Sequence, residues 1–171
     1  MHIFKYCPCC AHKLINKKID RESRLYCPVC HFIFYQNSKP TTAAVITQNK
    51  KILLTKRAIP PKKDWWDVPG GFLKNGEYPE TGIKREMKEE LGVEIKIMKL
   101  LGIYLDKYED PSYPPYKTLN FCYLVRIIKG KLKPADDVKE AKWFDQNNLP
   151  KKVAFKNAEM AIRDWKKLIK K

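Results

Sequence analysis

The sequence predicts an α+β domain with a mixed sheet, preceded by a small cysteine-rich ribbon. Three observations support this. Five of the six cysteines fall in the first 30 residues, and four of them form Cys7-x-x-Cys10 and Cys27-x-x-Cys30. From residue 41 onward, strands and helices mix without the strict alternation of a doubly wound sheet. The chain has 171 residues and is 44% hydrophobic, enough for one domain and a small appendage. That composition excludes general disorder, and 7 Gly with 12 Pro excludes collagen-like sequence. No apolar run approaches the roughly 20 residues that span a membrane. The start, MHIFKYCPCC, lacks an apolar stretch before a small-residue cleavage site, so the expected compartment is the cytoplasm.

The two CxxC pairs are 16 residues apart. Each CxxC turn presents two thiolates, and two such turns complete a tetrahedral four-thiolate site for Zn²⁺. A closed shell of this kind leaves no position for water, so the site is structural. Disulfide pairing is disfavoured by a cytosolic address. Cys9, between two ligands, reads as a spare thiol, and Cys122, in TLNFCYLVRII, as a small core residue. His12 and His31 read as surface histidines. The segment 12–26 suits two short strands around polar turns. The ribbon spans residues 1–39 and is too small to fold on its own core, so metal binding supplies much of its folding free energy.

Residues 41–58 read as two strands around a polar turn at Gln48–Lys50. A loop rich in Pro, Lys and Asp ends in Trp66-Asp67-Val68-Pro69-Gly70-Gly71. A helix then runs to about Leu91, with Pro79 in its first turn, Glu80 at the positive end of its dipole and Gly92 as its stop. Residues 93–105 read as strand, 106–117 as a loop rich in Tyr and Pro, 118–129 as a buried strand, and 141–144 as another. The tail places Ala158, Ala161, Ile162, Trp165, Leu168 and Ile169 on one helical face. The expected second domain is residues 40–171.

Lys and Arg number 35 against 19 Asp and Glu, a net charge of +16. Residues 71–93 run against that balance, with four basic and five acidic side chains. Glu86 and Glu90 share one helix face and Glu89 lies beside them. Three carboxylates so close repel one another unless a cation is present, and hard oxygen ligands suit Mg²⁺ or Mn²⁺. The alternative is a solvated helix face offset by Arg85 and Lys88. The spacing decides between them: Gly71, five residues, Glu77, seven residues, Arg85-Glu86-Met87-x-Glu89-Glu90-x-Gly92-Val93. It resembles the Nudix box, Gly-x5-Glu-x7-Arg-Glu-U-x-Glu-Glu-x-Gly-U with U aliphatic, at every fixed position. The chain therefore resembles the Nudix hydrolases over about residues 40–165, which implies their α/β/α layered fold. The two Cys-Pro-x-Cys turns and Tyr35-Gln36-Asn37-Ser38-Lys39-Pro40 resemble the zinc-ribbon branch that includes the NADH pyrophosphatases. Two features depart from that branch. Ala11 and His31 stand where glycine commonly follows each knuckle. Residues 110–116, DPSYPPY, replace its Ser-Gln-Pro-Trp-Pro-Phe-Pro stretch.

The resemblance implies hydrolysis of a nucleoside diphosphate linked to another moiety, with water attacking phosphorus. It implies Glu86 and Glu90 as metal ligands, Glu89 as ligand or base, and the Gly70 carbonyl as a further ligand. Glu77 and Arg85 take supporting roles. A later loop often adds an acid, and Asp137 matches that place best, ahead of Glu140. Phe72, Tyr113 and Tyr116 are the candidate substrate contacts, through stacking on a base. The substrate class implied is a dinucleotide or nucleotide sugar such as NADH or ADP-ribose. Removal of a nucleotide cap from RNA is the alternative, favoured by a ribbon with seven basic residues against two acids in residues 1–40. A binding module without catalysis is a third reading, opposed by the intact Glu86, Glu89 and Glu90. No membrane partner is expected. Relatives often dimerise, so a homodimer is one expectation.

Overall fold

The computed structural model describes residues 4–111 and 114–169. They form two compact units, divided between Ser38 and Lys39.

In the first unit, β1 (Ile15–Ile19), β2 (Glu22–Tyr26) and β3 (Ile33–Phe34) make an antiparallel sheet. Asp20 and Arg21 join β1 to β2 with positive φ at both positions (50° and 66°). This is the two-residue turn whose twist matches a hairpin. Leu14, Leu25, Cys7 and Cys27 form the small core.

In the second unit, β4 (Lys39–Gln48) turns through Asn49 and Lys50 into β5 (Lys51–Arg57). The two strands pair only from Ile46 to Gln48 and then diverge. Into the gap come β6 (Trp66–Asp67), paired with β5, and β7 (Gly70–Phe72), paired with β4. Next follow α1 (Pro79–Leu91), β8 (Glu94–Tyr108), β9 (Tyr116–Lys129), β10 (Val138–Asp145) and α2 (Lys156–Ile169). The main sheet order is β10-β5-β4-β9-β8. β4 and β9 run parallel and the other neighbours antiparallel, so the sheet is mixed.

The alternation of β4 explains the layering. Ala43 and Val45 pack with Trp165, Ala158 and Ile162 of α2, while Ala44 and Ile46 pack with Ile83, Met87 and Leu91 of α1. A strand buried on both faces reads as a continuous apolar run, as TAAVI does. The result is an α/β/α sandwich, the layered α+β fold expected. No helix among the described residues is long and apolar enough to cross a membrane.

The segment expected to loop from 106 to 117 is shorter. β8 continues to Tyr108 and β9 begins at Tyr116, with Lys107 opposite Lys117 and Tyr108 opposite Tyr116. Tyr rings suit a half-buried ladder, and these two stack at 5.2 Å. The sequence also left β3, β6 and β7 unmarked, because two or three residues are too few for periodicity to register.

Candidate active site

Three elements meet at the site. β7 brings Gly70 and Gly71 beside β4, α1 presents Glu86 and Glu90, and the turn before β10 brings Asp137. Ile83, Met87 and Leu91 anchor α1 in the core at i, i+4, i+8 spacing. That leaves Glu86 and Glu90 on the adjoining face, and both are buried. Gly92, in the left-handed conformation, ends the helix, its N–H bonded to the Lys88 carbonyl at 3.1 Å.

The glycine pair is required by the packing. Gly70 has φ +145°, and a Cβ there would run into the Thr42 carbonyl. A Cβ on Gly71 would lie 2.6 Å from Glu86 Oε1. The Gly70 N–H donates to Glu90 Oε2 at 3.1 Å, so backbone and carboxylate are fixed together.

Arg85 organises the exposed side. Its Nη2 donates to Glu77 at 2.7 Å and to the Phe72 carbonyl at 3.2 Å. Its Nη1 donates to Glu86 at 2.7 Å and to Glu89 at 2.8 Å. The Arg85 guanidinium holds the Glu77 carboxyl at about 2, far below the usual carboxylate range. Burial acts in the opposite sense on the inner acids. It raises Glu90 well above the usual range, with Asp137 and Glu86 adding repulsion, and it raises Glu86 and Asp137 as well. Glu89 stays more exposed, with 44% of its side-chain surface accessible. Asp137 and Glu90 line one narrow cleft together with Gly70 and Asp67, whereas Glu140 is exposed on β10, 3.9 Å from Lys56.

Beside these acids opens a cavity of about 270 Å³. Phe72, Tyr108 and Phe155 form its aromatic lining, and Asp67, Asp106 and Asp137 share it with Arg57. Tyr108 stacks on Phe155 at 5.6 Å and meets Phe72 edge-on at 5.7 Å. Loss of water around the Asp67 carboxyl, 14% of whose side-chain surface is accessible, pushes it up to about 7 against the opposing pull of Arg57. Tyr116 adjoins this group, stacked on Tyr108 with Lys39 Nζ 3.8 Å over its ring. Tyr113 lies outside the described residues. Asp67, Tyr108, Phe155 and Arg57 were not marked as site residues from the sequence. Their only signal is position, Asp67 in the approach to the glycine pair and Phe155 just before α2.

In the first unit, the Sγ atoms of Cys7, Cys10, Cys27 and Cys30 lie within 4.8 Å of one another, three of the pairs at 3.4–3.5 Å. Tetrahedral Zn–S bonds of about 2.3 Å place sulfurs about 3.8 Å apart, so the cluster fits zinc. The Cys30 backbone N–H draws the Cys27 thiol down to about 6, toward the thiolate a metal needs. The carboxylates do not converge in this way: among the described residues, the thiols form the only such cluster.

The NUDIX domain profile matches residues 37–164. The chain belongs to the NUDIX family. Over 155 residues it is 37% identical to an ADP-ribose pyrophosphatase of Methanocaldococcus jannaschii, covering 90% of this chain and 82% of that one. It is 25% identical to the NAD-capped RNA hydrolase NudC of Pseudomonas aeruginosa over 149 residues, 85% of this chain and 49% of the relative. The chain thus spans about half the length of that relative. A crystal structure of a NUDIX hydrolase from Nitrosomonas europaea matches with a TM-score of 0.77 at 26% identity, over 94% of this chain and 89% of the other. Nudix enzymes typically need divalent metals.

Proposed function

We propose that this Nudix hydrolase cleaves the pyrophosphate bond of a nucleoside diphosphate linked to another moiety, of the ADP-ribose or dinucleotide type, NADH included. The observation that carries this is the burial of Glu86 and Glu90 against Gly70–Gly71, at the edge of an aromatic-lined cavity. The 37% identity to an ADP-ribose pyrophosphatase supports the substrate class.

The donor set fits a hard divalent cation, since Glu90 is buried among other acids with one backbone N–H as its hydrogen-bond donor. Glu86, Glu90 and the Gly70 carbonyl would hold Mg²⁺ or Mn²⁺, with Glu89 and Asp137 as further carboxylates. Such an ion neutralises phosphate oxygens and acidifies a bound water. The protein's own part is positioning. Glu77 fixes Arg85, and Arg85 aims Glu86 and Glu89. Glu89, more accessible than Glu86 and Glu90, takes the proton of the attacking water. Phe72 and Tyr108 give a ring of the substrate apolar surface, and Arg57 offers charge to its phosphates.

Assays of ADP-ribose, NADH and nucleoside triphosphates with Mg²⁺ test this. Cleavage of the first two in preference to the triphosphates is expected, and equal or better turnover of triphosphates would overturn the substrate class. Zinc in the four-thiolate cluster and a cytoplasmic address belong to the same proposal, since unpaired thiolates suit a reducing compartment. So does a homodimer. β8 is the open edge of the sheet and exposes Met98, Leu100, Ile103 and Leu105. A monomer in sedimentation at micromolar concentration would contradict that part.

A further inference from the structure

We propose that the open face of the first unit's sheet binds single-stranded RNA. The strand register defines that face. Ile15 pairs with Tyr26 and Tyr26 with Ile33, while Lys17 pairs with Arg24. Leu25 points the other way, into the core with Cys7 and Cys27. The thiolate cluster therefore lies on the covered side. The open side carries Lys17 and Tyr35, both exposed, and Tyr26 and Arg24, both partly covered, Arg24 keeping 18% of its side-chain surface accessible.

Three features of this face call for an anion with flat rings. First, Lys17 and Arg24 sit directly opposite each other, where like charges destabilise a hairpin. Glu22, 2.9 Å from Arg24, is the one acid on the face. Second, each cation lies over an aromatic ring: Lys17 Nζ is 4.2 Å from the Tyr26 centroid and the Arg24 guanidinium 4.5 Å from that of Tyr35. Third, a ring and an aliphatic side chain stand open beside the cations. Tyr35 is 48% exposed and Ile15 47%. A basic surface alone draws any polyanion. Cations interleaved with one exposed and one partly exposed ring match alternating phosphates and bases, the pattern by which single strands are held without sequence readout. An acidic peptide has no use for the rings. Binding at this face stands independently of the hydrolase reading, and only the use of a nucleotide-capped strand as substrate rests on it.

The test uses the full zinc-loaded chain and a fluorescent 12-nucleotide single-stranded RNA, with anisotropy read across a KCl series. Lys17→Gln with Arg24→Gln should weaken binding at least about 10-fold. It should also lower the salt slope by about 1.4, the value for two lost phosphate contacts on a single strand. Tyr35→Ala should weaken binding about 5-fold or more. Lys166→Gln with Lys167→Gln removes the same charge from α2 and should change affinity less than 3-fold. Equal losses from the α2 and ribbon pairs would overturn the proposal, as would binding to phosphatidylserine vesicles or poly-glutamate as strong as to RNA. If the double ribbon variant loses its zinc, the exposed Lys17→Gln alone carries the test, with about a 3-fold loss expected and no change refuting the site. ADP-ribose hydrolysis, measured in parallel, separates the two readings. Its absence in the wild type would sink the hydrolase proposal and leave the RNA result standing.

Discussion

Arg85 meets four acceptor groups: Glu77, through both its carboxylate oxygens, Glu86, Glu89 and the Phe72 carbonyl. A lysine carries the charge without the planar fork, so it cannot hold all four. Arg85→Lys is expected to lower kcat about 10- to 100-fold by loosening Glu86 and Glu89, with the fold intact by circular dichroism. An unchanged kcat would show that the aim of those carboxylates does not matter. Gly71→Ala acts on the same group from the other side, since the new Cβ would displace the Glu86 carboxylate. It should cut turnover more than stability. Gly70→Ala should cut both, because it strains the backbone and collides with Thr42. At this scale the sequence is informative in one segment only. The spacing around residues 71–93 marks Glu77, Arg85, Glu86, Glu89 and Glu90 because they sit on one helix and the loop leading into it. Asp67 and Phe155 escape notice, because Asp67 joins the cavity by pairing with β5 and Phe155 by stacking on Tyr108, contacts that no local pattern encodes.

The elements place two structural demands on residues outside the site. Tyr104 of β8 donates its phenolic O–H to Asp164 of α2 at 3.0 Å, tying a sheet strand to the covering helix. Tyr104→Phe should cost about 1 kcal/mol in urea unfolding. Lys167 holds the Asp164 carboxyl below its usual range, and Tyr104 adds to that. A carboxylate with a lowered folded pKa stabilises above its unfolded value of about 3.9 and loses that contribution as pH falls through the folded one. The Tyr104→Phe penalty should accordingly be full at pH 7 and shrink below about pH 4. A penalty constant down to pH 3 would place the effect in packing instead. In the ribbon, Ala11 and His31 follow the knuckles at φ 60° and 61°, which explains why glycine suits those positions. Ala11→Gly should stabilise the zinc-bound ribbon by about 1 kcal/mol, read as slower zinc release to a chelator. The helices were legible because Pro79, Gly92 and the apolar stripe of α2 are strong local signals. The true length of β8 was not, because residues 106–117 carry the Pro and Tyr of a loop while Tyr108 and Tyr116 gain their order from stacking across the strands.

For the whole molecule, the +16 charge acquires a geography. The acidic α1 carries the carboxylates proposed to hold the metal, while residues 151–171 carry eight basic side chains against two acids. A basic exterior would draw polyphosphates toward the proposed acidic site once a cation offsets its carboxylates. The two units also differ in what holds them. The second unit has two cores, one on each face of β4, whereas the first, among its described residues, buries only Leu14 and Leu25 with Cys7 and Cys27. About one zinc per chain is expected, and a strong thiol-reactive chelator should unfold the ribbon while the α/β/α sandwich keeps its helical signal. A metal-free ribbon with intact structure would refute the site. The measurement that bears most directly on the catalytic claim is product analysis with ADP-ribose and Mg²⁺. Wild-type protein should release AMP and ribose 5-phosphate in equal amounts, and folded Glu86→Gln and Glu90→Gln should each lose about 100-fold or more of that rate. Wild-type rates in both variants would contradict the account.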